Sequence, residues 1–168
     1  IPARGGSKRI PKKNIIDFLG QPMIARVIRT AYASGIFERV IVSTDDEKIA
    51  HVAKIAKAEV IERPAILSND HTPILPVIQH VIETAGINEG YVCLILATAV
   101  FLKPEHLRKA YSKIEKDKTL EFVIGVKKFE SAPQRALKIN KKGHVEELNP
   151  GNTNSRSQDL EPLFFDAG

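Results

Sequence analysis

Apolar positions along this chain alternate between a helical rhythm and short continuous runs. Over residues 22–34, Met23, Ile24, Val27, Ile28 and Ala31 share one face of a helix. Pro22 suits its first turn and Gly35 its stop. Arg39-Val40-Ile41-Val42 follows as a β-branched run and reads as a buried strand. Thr44 and Glu47 have capping-box spacing and open a second helix with Ile49, Val52, Ala53 and Ala56 inward. Residues 59–61 read as a short strand. Thr72-Pro73 opens a third helix with Ile74, Val77, Ile78, Val81 and Ile82 inward and Gly86 as its stop. Residues 91–96 read as a strong buried strand. Pro104 opens a helix carrying Leu107, Ala110, Tyr111 and Ile114, and residues 121–126 read as a further strand.

Buried strands alternating with helices predict a mostly parallel sheet covered on both faces, a doubly wound α/β class. After Val126 the alternation stops. Residues 136–139 and 144–148 flank Asn140-Lys141-Lys142-Gly143, the pattern of a hairpin with a glycine-containing turn. Residues 149–158 are polar and turn-rich. The stretch 128–165 is therefore expected to be a β-hairpin excursion from the sheet, either a surface flap or a dimerisation arm.

The length of 168 residues suits one domain spanning 1–168, large enough to bury a core without disulfides or metals. Residues 1–3 read as the end of a strand whose beginning is missing, and 164–168 stop without a cap, so the expectation is a piece of a longer protein. Hydrophobic residues make up 43% and charged residues 27%, which excludes disordered, collagen-like and coiled-coil classes. No apolar run approaches the roughly 20 residues that cross a bilayer, and the N-terminus does not read as a signal peptide. Cys93 is the single cysteine, so no intrachain disulfide is possible, and a cytoplasmic location is expected.

The net charge is +5, and its placement carries more than its size. Arg4, Lys8, Arg9, Lys12 and Lys13 cluster ahead of the first acid, Asp17. Such a surface suits an anionic partner: nucleotide phosphates, nucleic acid or an acidic metabolite. Gly5-Gly6-Ser7 interrupts the run just after a strand end, where ligands bind in open α/β sheets. Glycines let backbone N–H groups approach phosphates, and Arg and Lys neutralise their charge. A plain turn is the alternative. The Walker A pattern fails because Ser7 separates Gly6 from Lys8, and G-x-G-x-x-G is absent. A nucleic-acid-binding module is a second class of function. Aromatics make up only 6% and none interleaves with the basic loop as a stacking platform requires, so no nucleic-acid partner is expected.

The stretch from Ala3 to Asn14 (Ala-Arg-Gly-Gly-Ser-Lys-Arg-Ile-Pro-Lys-Lys-Asn) resembles the N-terminal signature of the acylneuraminate, or CMP-sialic acid synthetase-like, cytidylyltransferases. The resemblance continues through Val42-Ser43-Thr44-Asp45, Arg63-Pro64-Ala65, Leu67-Ser68-Asn69-Asp70 and Ala97-Thr98-Ala99. It runs on to Gln134-Arg135-Ala136-Leu137 and Asn154-Ser155-Arg156-Ser157-Gln158-Asp159-Leu160. The last stretches look most like the pseudaminic acid cytidylyltransferase branch. Ile74, Val100 and Phe165 depart from the pattern.

The resemblance implies a Rossmann-like nucleotidyltransferase fold and a reaction. The anomeric hydroxyl of a nonulosonic acid attacks the α-phosphate of CTP, pyrophosphate leaves, and a CMP-sugar forms with Mg²⁺ or another divalent cation. Arg4 and Lys8 would carry the catalytic charge on the triphosphate. Gly5, Gly6 and Ser7 would supply N–H groups, Lys13 further charge, and Asn14 a hold on the cytidine. Arg63 and Thr98 would border the nucleotide, with a solvated loop charge as the alternative for Arg63. Arg135, Arg156 and Gln158 would hold the sugar acid, with an interface ion pair as the alternative for the arginines. A homodimer is implied, and no membrane partner. An N-acetylneuraminate or Kdo synthetase is the near alternative. Thr44 and Asp45 lie near the nucleotide or merely cap a helix. His51, His80 and His106 read as surface residues, and Cys93 as a core strand residue.

Overall fold

The computed structural model describes residues 1–8, 10–151 and 155–167. Arg9 of the basic run, residues 152–153 of the polar loop, and Asn154 of the stretch 154–160 lie outside the described residues. The chain divides into two compact units, Ile1–Val123 and Ile124–Gly168.

In the first unit, β1 (Ile41–Thr44) pairs in parallel with β2 (Glu59–Glu62), with Ile41 opposite Glu59 and Thr44 opposite Glu62. Helix α2 (Glu47–Ile55) makes the crossover between them. On the other edge of β1 the first residues run parallel: Ala3 N–H donates to the Ser43 carbonyl at 2.9 Å and Ser43 N–H to the Ile1 carbonyl at 3.1 Å. Residues 1–3 thus behave as the strand end their sequence suggests. Helices α1 (Met23–Ser34), α3 (Ile74–Thr84) and α4 (Pro104–Lys116) complete the unit. The unit is α/β with a parallel sheet.

The apolar face of α1 buries Ile24, Val27, Ile28 and Ala31 beneath Val40 and Val42 of the sheet region, with Ile49 and Ala53 of α2 and Leu107 of α4 in the same core. Ile24, Ile28 and Ile49 are fully buried, each contributing about 1.5–3 kcal/mol. Gly35 ends α1 at φ 69°, the left-handed conformation that makes glycine the favoured stop.

Several expectations are corrected. Residues 91–96 join no strand among the described residues. Ile95 is buried, but Tyr91, Val92 and Leu94 are half-exposed, and a cavity of about 40 Å³ lies between Val92-Cys93-Leu94 and Ile1-Pro2. A strand needs a hydrogen-bonding neighbour, and apolar content alone does not supply one. Cys93 is accordingly exposed and not a core strand residue. Residues 121–125 are not strand; pairing begins at Val126. The cap of α2 is Asp46, whose Oδ1 accepts from Lys48 and Ile49 N–H at 2.8 and 3.0 Å. Thr44 instead accepts a bond from Asp46 N–H. Of the five α3 positions expected inward, only Val77 is fully buried; Ile78, Val81 and Ile82 are half-buried and Ile74 is exposed. His51 and His106 are exposed and His80 is half-buried.

In the second unit, β3 (Val126–Lys128) pairs antiparallel with β6 (Phe164–Asp166), and β4 (Leu137–Ile139) with β5 (Val145–Glu147). The β4–β5 hairpin forms where its sequence predicts. Gly143 takes φ 79° in the turn, and the Asn140 side-chain oxygen accepts from Lys142 and His144 N–H. The Phe129 and Phe165 rings meet at 4.9 Å between centroids.

Candidate functional site

Because residues 1–3, β1 and β2 run parallel, their carboxyl ends share one edge. That edge carries Arg4, Asp45 and Arg63 in successive loops. It is where an open α/β sheet binds ligands.

The glycine-rich loop is built by three anchors. Gly5 N–H donates to Asp45 Oδ1 at 2.9 Å. Ser7 N–H closes a tight turn on the Gly5 carbonyl at 2.8 Å. Asn14, only 7% exposed, donates from Nδ2 to the Arg4 carbonyl at 2.9 Å. The segment that brings Asn14 there passes through Lys12 at φ 53° into a short 3-10 turn, Lys13–Ile15. Gly5 lies so close to α2 that a Cβ there would stand 2.7 Å from Asp46 Oδ2, whereas Gly6 faces open space. The Gly5 and Ser7 N–H groups, expected to face phosphates, are thus engaged within the protein. Gly5 contributes its lack of a side chain, and Asn14 holds the loop in shape.

Two cations leave this loop on one side. Arg4 and Lys8 both pair with Asp70, Arg4 on Oδ1 and Lys8 on Oδ2. Lys8 remains 82% exposed at its side chain. Lys8, and then Arg4, hold the Asp70 carboxyl below the usual carboxylate range. Asp70 sits in a loop shaped by its own polar groups. Ser68 Oγ donates to the Pro64 carbonyl, Asn69 Nδ2 and Thr72 Oγ1 to the Ile66 carbonyl, and His71 N–H to Asn69 Oδ1.

Arg63 is 6% exposed. Its Nε donates to Ser43 Oγ at 3.1 Å and its Nη2 to the Ser43 carbonyl at 2.6 Å. Burial lowers its pKa, Asp45 offsets part of this and Arg4 adds to it, but a guanidinium stays charged. A pocket of about 410 Å³ opens beside it, lined by Asp45, Glu62, Arg63, Ala65, Ser68 and Asn69. Arg63 is therefore a buried cation on a cavity wall and not a solvated loop charge.

The first unit thus gathers Arg4, Gly5, Gly6, Ser7, Lys8, Asn14 and Arg63 around one edge. Lys13 is half-buried in the 3-10 turn, and Thr98 is exposed in the turn after residues 91–96. In the second unit Arg135 is exposed at the end of a 3-10 turn, Pro133–Arg135. Arg156 grips Asp159 through Nε at 2.8 Å and Nη2 at 3.3 Å, with Gln158 exposed beside it. Asp70, Asp46 and Ser43 carry no role in the sequence pattern. Asp70 ends the stretch Leu67-Ser68-Asn69-Asp70, but an acid among Ser, Asn, Thr and Pro reads as a turn residue. Among the described residues no group of three or more His, Cys, Asp or Glu could hold a metal ion.

Residues 1–163 match the protein family described as Cytidylyltransferase. A pseudaminic acid cytidylyltransferase of Campylobacter jejuni is 42% identical over 172 residues, covering 100% of this chain and 74% of that protein. A Helicobacter pylori protein named pseudaminic acid cytidylyltransferase and UDP-2,4-diacetamido-2,4,6-trideoxy-beta-L-altropyranose hydrolase is 33% identical over 170 residues, 100% of this chain and 32% of its own. An N-acylneuraminate cytidylyltransferase of Streptococcus agalactiae is 30% identical over 173 residues, 100% of this chain and 41% of its own. Among solved structures, a CMP:2-keto-3-deoxy-manno-octonic acid synthetase complexed with CTP superposes with a TM-score of 0.71. It covers 99% of this chain and 69% of that one at 19% identity, a likeness of fold.

Proposed function

The chain belongs to the cytidylyltransferase family, and from that premise we propose that it activates a nonulosonic acid, pseudaminic acid first, with CTP to give a CMP-sugar and pyrophosphate. The observation that supports this most is the pair of cations, Arg4 and Lys8, carried by a glycine loop at the carboxyl edge of the parallel strands. Two relatives that are 42% identical over the whole chain bear the pseudaminic acid name.

In the reaction the anomeric oxygen forms a bond to the α-phosphorus. The bond from that phosphorus to the bridging oxygen breaks, and pyrophosphate takes the electron pair. The hydroxyl proton passes to solvent. Such transfers depend on positioning and charge stabilisation. Arg4 and Lys8 would neutralise the triphosphate and the charge that gathers on the leaving pyrophosphate. Gly6 leaves room for phosphate against the backbone, Lys13 adds charge, and Arg63 with Thr98 borders the base and ribose. A magnesium ion usually binds through one or two carboxylates plus substrate phosphates, so the expected divalent cation would arrive with CTP and screen its charge.

Arg135, Arg156 and Gln158 are the proposed holders of the sugar acid, the guanidiniums matching its carboxylate. The second unit is also the proposed dimer surface. Its two-stranded pieces are marginal alone, and Leu137, Ile139, Val145 and Leu148 are exposed, so a second copy would cover them. Among the described residues no helix is long and apolar enough to cross a membrane, and we place the activity in the cytoplasm, where CTP is available. The test is pyrophosphate release from CTP, UTP, ATP and GTP in turn, with Mg²⁺ and pseudaminic acid. Release only with CTP supports the reading, and release with another triphosphate in preference to CTP overturns it.

A further inference from the structure

One carboxylate, Asp70, bridges both loop cations, one oxygen to each. This is the arrangement of two non-bridging phosphate oxygens between an arginine and a lysine. The bridge spans sixty-six positions of sequence between Arg4 and Asp70, so it is not a local helix or turn pairing. Asp70 also sits in a loop with bracing of its own: four hydrogen bonds that involve side chains of the loop join its residues between Pro64 and Thr72. Lys8 is mostly exposed and could extend into solvent, yet it folds back onto Asp70.

We propose that Asp70 is a positioning residue that stands in for phosphate, holding Arg4 and Lys8 at phosphate spacing and competing with the triphosphate and pyrophosphate for them. The inference rests on the triphosphate reading of this loop. Two consequences follow. The nucleotide must displace an anion already on its cations, which weakens binding. After transfer, Asp70 takes Arg4 and Lys8 back from pyrophosphate, which speeds its departure. A carboxylate that only braced the fold would do neither, because losing it would loosen the cations and weaken every anion's binding.

The test compares wild type with Asp70→Asn, which keeps the shape and removes the charge, and Asp70→Glu, which restores the charge. Inorganic tripolyphosphate binding is measured by calorimetry. Initial rates with CTP and pseudaminic acid are measured with and without added pyrophosphate. Asp70→Asn should bind tripolyphosphate at least fivefold tighter, about 1 kcal/mol. Inhibition by pyrophosphate should tighten at least as much, kcat should fall with KM for CTP falling alongside, and Asp70→Glu should return all four toward wild type. Equal or weaker tripolyphosphate binding by Asp70→Asn overturns the role of Asp70 while leaving the triphosphate reading intact. Failure of tripolyphosphate to bind any of the three proteins overturns both.

Discussion

Gly5 lies against Asp46 so closely that any side chain would collide with it: a Cβ on Gly5 would stand 2.8 Å from the Asp46 Cβ and 2.7 Å from its Oδ2. Asp46 cannot yield freely, because its other oxygen caps α2. Loop and helix are thus fitted to each other. Gly5→Ala should displace the loop, weaken CTP binding at least tenfold, about 1.4 kcal/mol, and lower the melting temperature. Gly6→Ala, with nothing near its Cβ, should leave the melting temperature near wild type. Calorimetric titration with CTP and a thermal melt of both variants check this. Equal effects at the two glycines would contradict it.

Lys8 is the exposed partner of the pair, so its loss should cost little stability and much rate. Lys8→Ala should lower the rate at saturating CTP at least tenfold, about 1.4 kcal/mol of barrier. The check is steady-state kinetics beside a thermal melt. A near-normal rate and CTP affinity would contradict the assignment.

Arg63 should matter to both the fold and the site. Arg63→Met removes the donor to the Ser43 hydroxyl and one of the two donors to the Ser43 carbonyl, which keeps the Ala3 N–H; losing these buried bonds should cost about 1–3 kcal/mol in urea unfolding. Arg63→Lys should not recover it fully, since one ammonium cannot reproduce the two-nitrogen grip.

The Asp70 bridge has a definite acid limit. Its carboxyl is held below the ordinary value by Lys8 first and Arg4 second. A lowered folded value contributes stability that is present above the unfolded value, about 3.9. That contribution is lost as pH falls through the lower folded one. NMR titration should show Asp70 with a midpoint below 3.9, moving upward in Lys8→Ala.

Arg156→Ala should raise the half-saturating sugar concentration tenfold or more, as losing a hydrogen bond to a charged group costs about 1.5–3 kcal/mol, while CTP binding stays nearly unchanged. Asp159, which holds the Arg156 guanidinium through two nitrogens, fixes its direction, so Asp159→Asn should move the sugar response the same way by a smaller factor.

Much of this architecture was legible in the chain because it follows local rules. The apolar face of α1, the Gly35 stop, the β1 and β2 runs and the Asn140–Gly143 turn each announce themselves within a dozen residues. Most of what was not legible depends on distant partners. The run at 91–96 has the composition of a buried strand, but composition does not supply a neighbour with free hydrogen-bonding groups. Thr44 has the right spacing for a cap, yet Asp46, two positions on, has the stronger acceptor and the position. Within the site, the glycines and cations could be read from the N-terminal stretch alone. Asp70 could not, because Arg4 stands sixty-six positions away in sequence and its own surroundings read as a turn. The burial of Arg63 likewise follows from the register that sets Ser43 beside it.

The proposed reaction is cytidylyl transfer to a nine-carbon sugar acid. Its most direct test is a competition: the protein, CTP and Mg²⁺ with equal concentrations of pseudaminic acid, N-acetylneuraminic acid and Kdo, the products resolved by mass. CMP-pseudaminic acid is expected as the major product, with one pyrophosphate released for each molecule formed. A preference for Kdo, or consumption of CTP with no CMP-sugar, would contradict it.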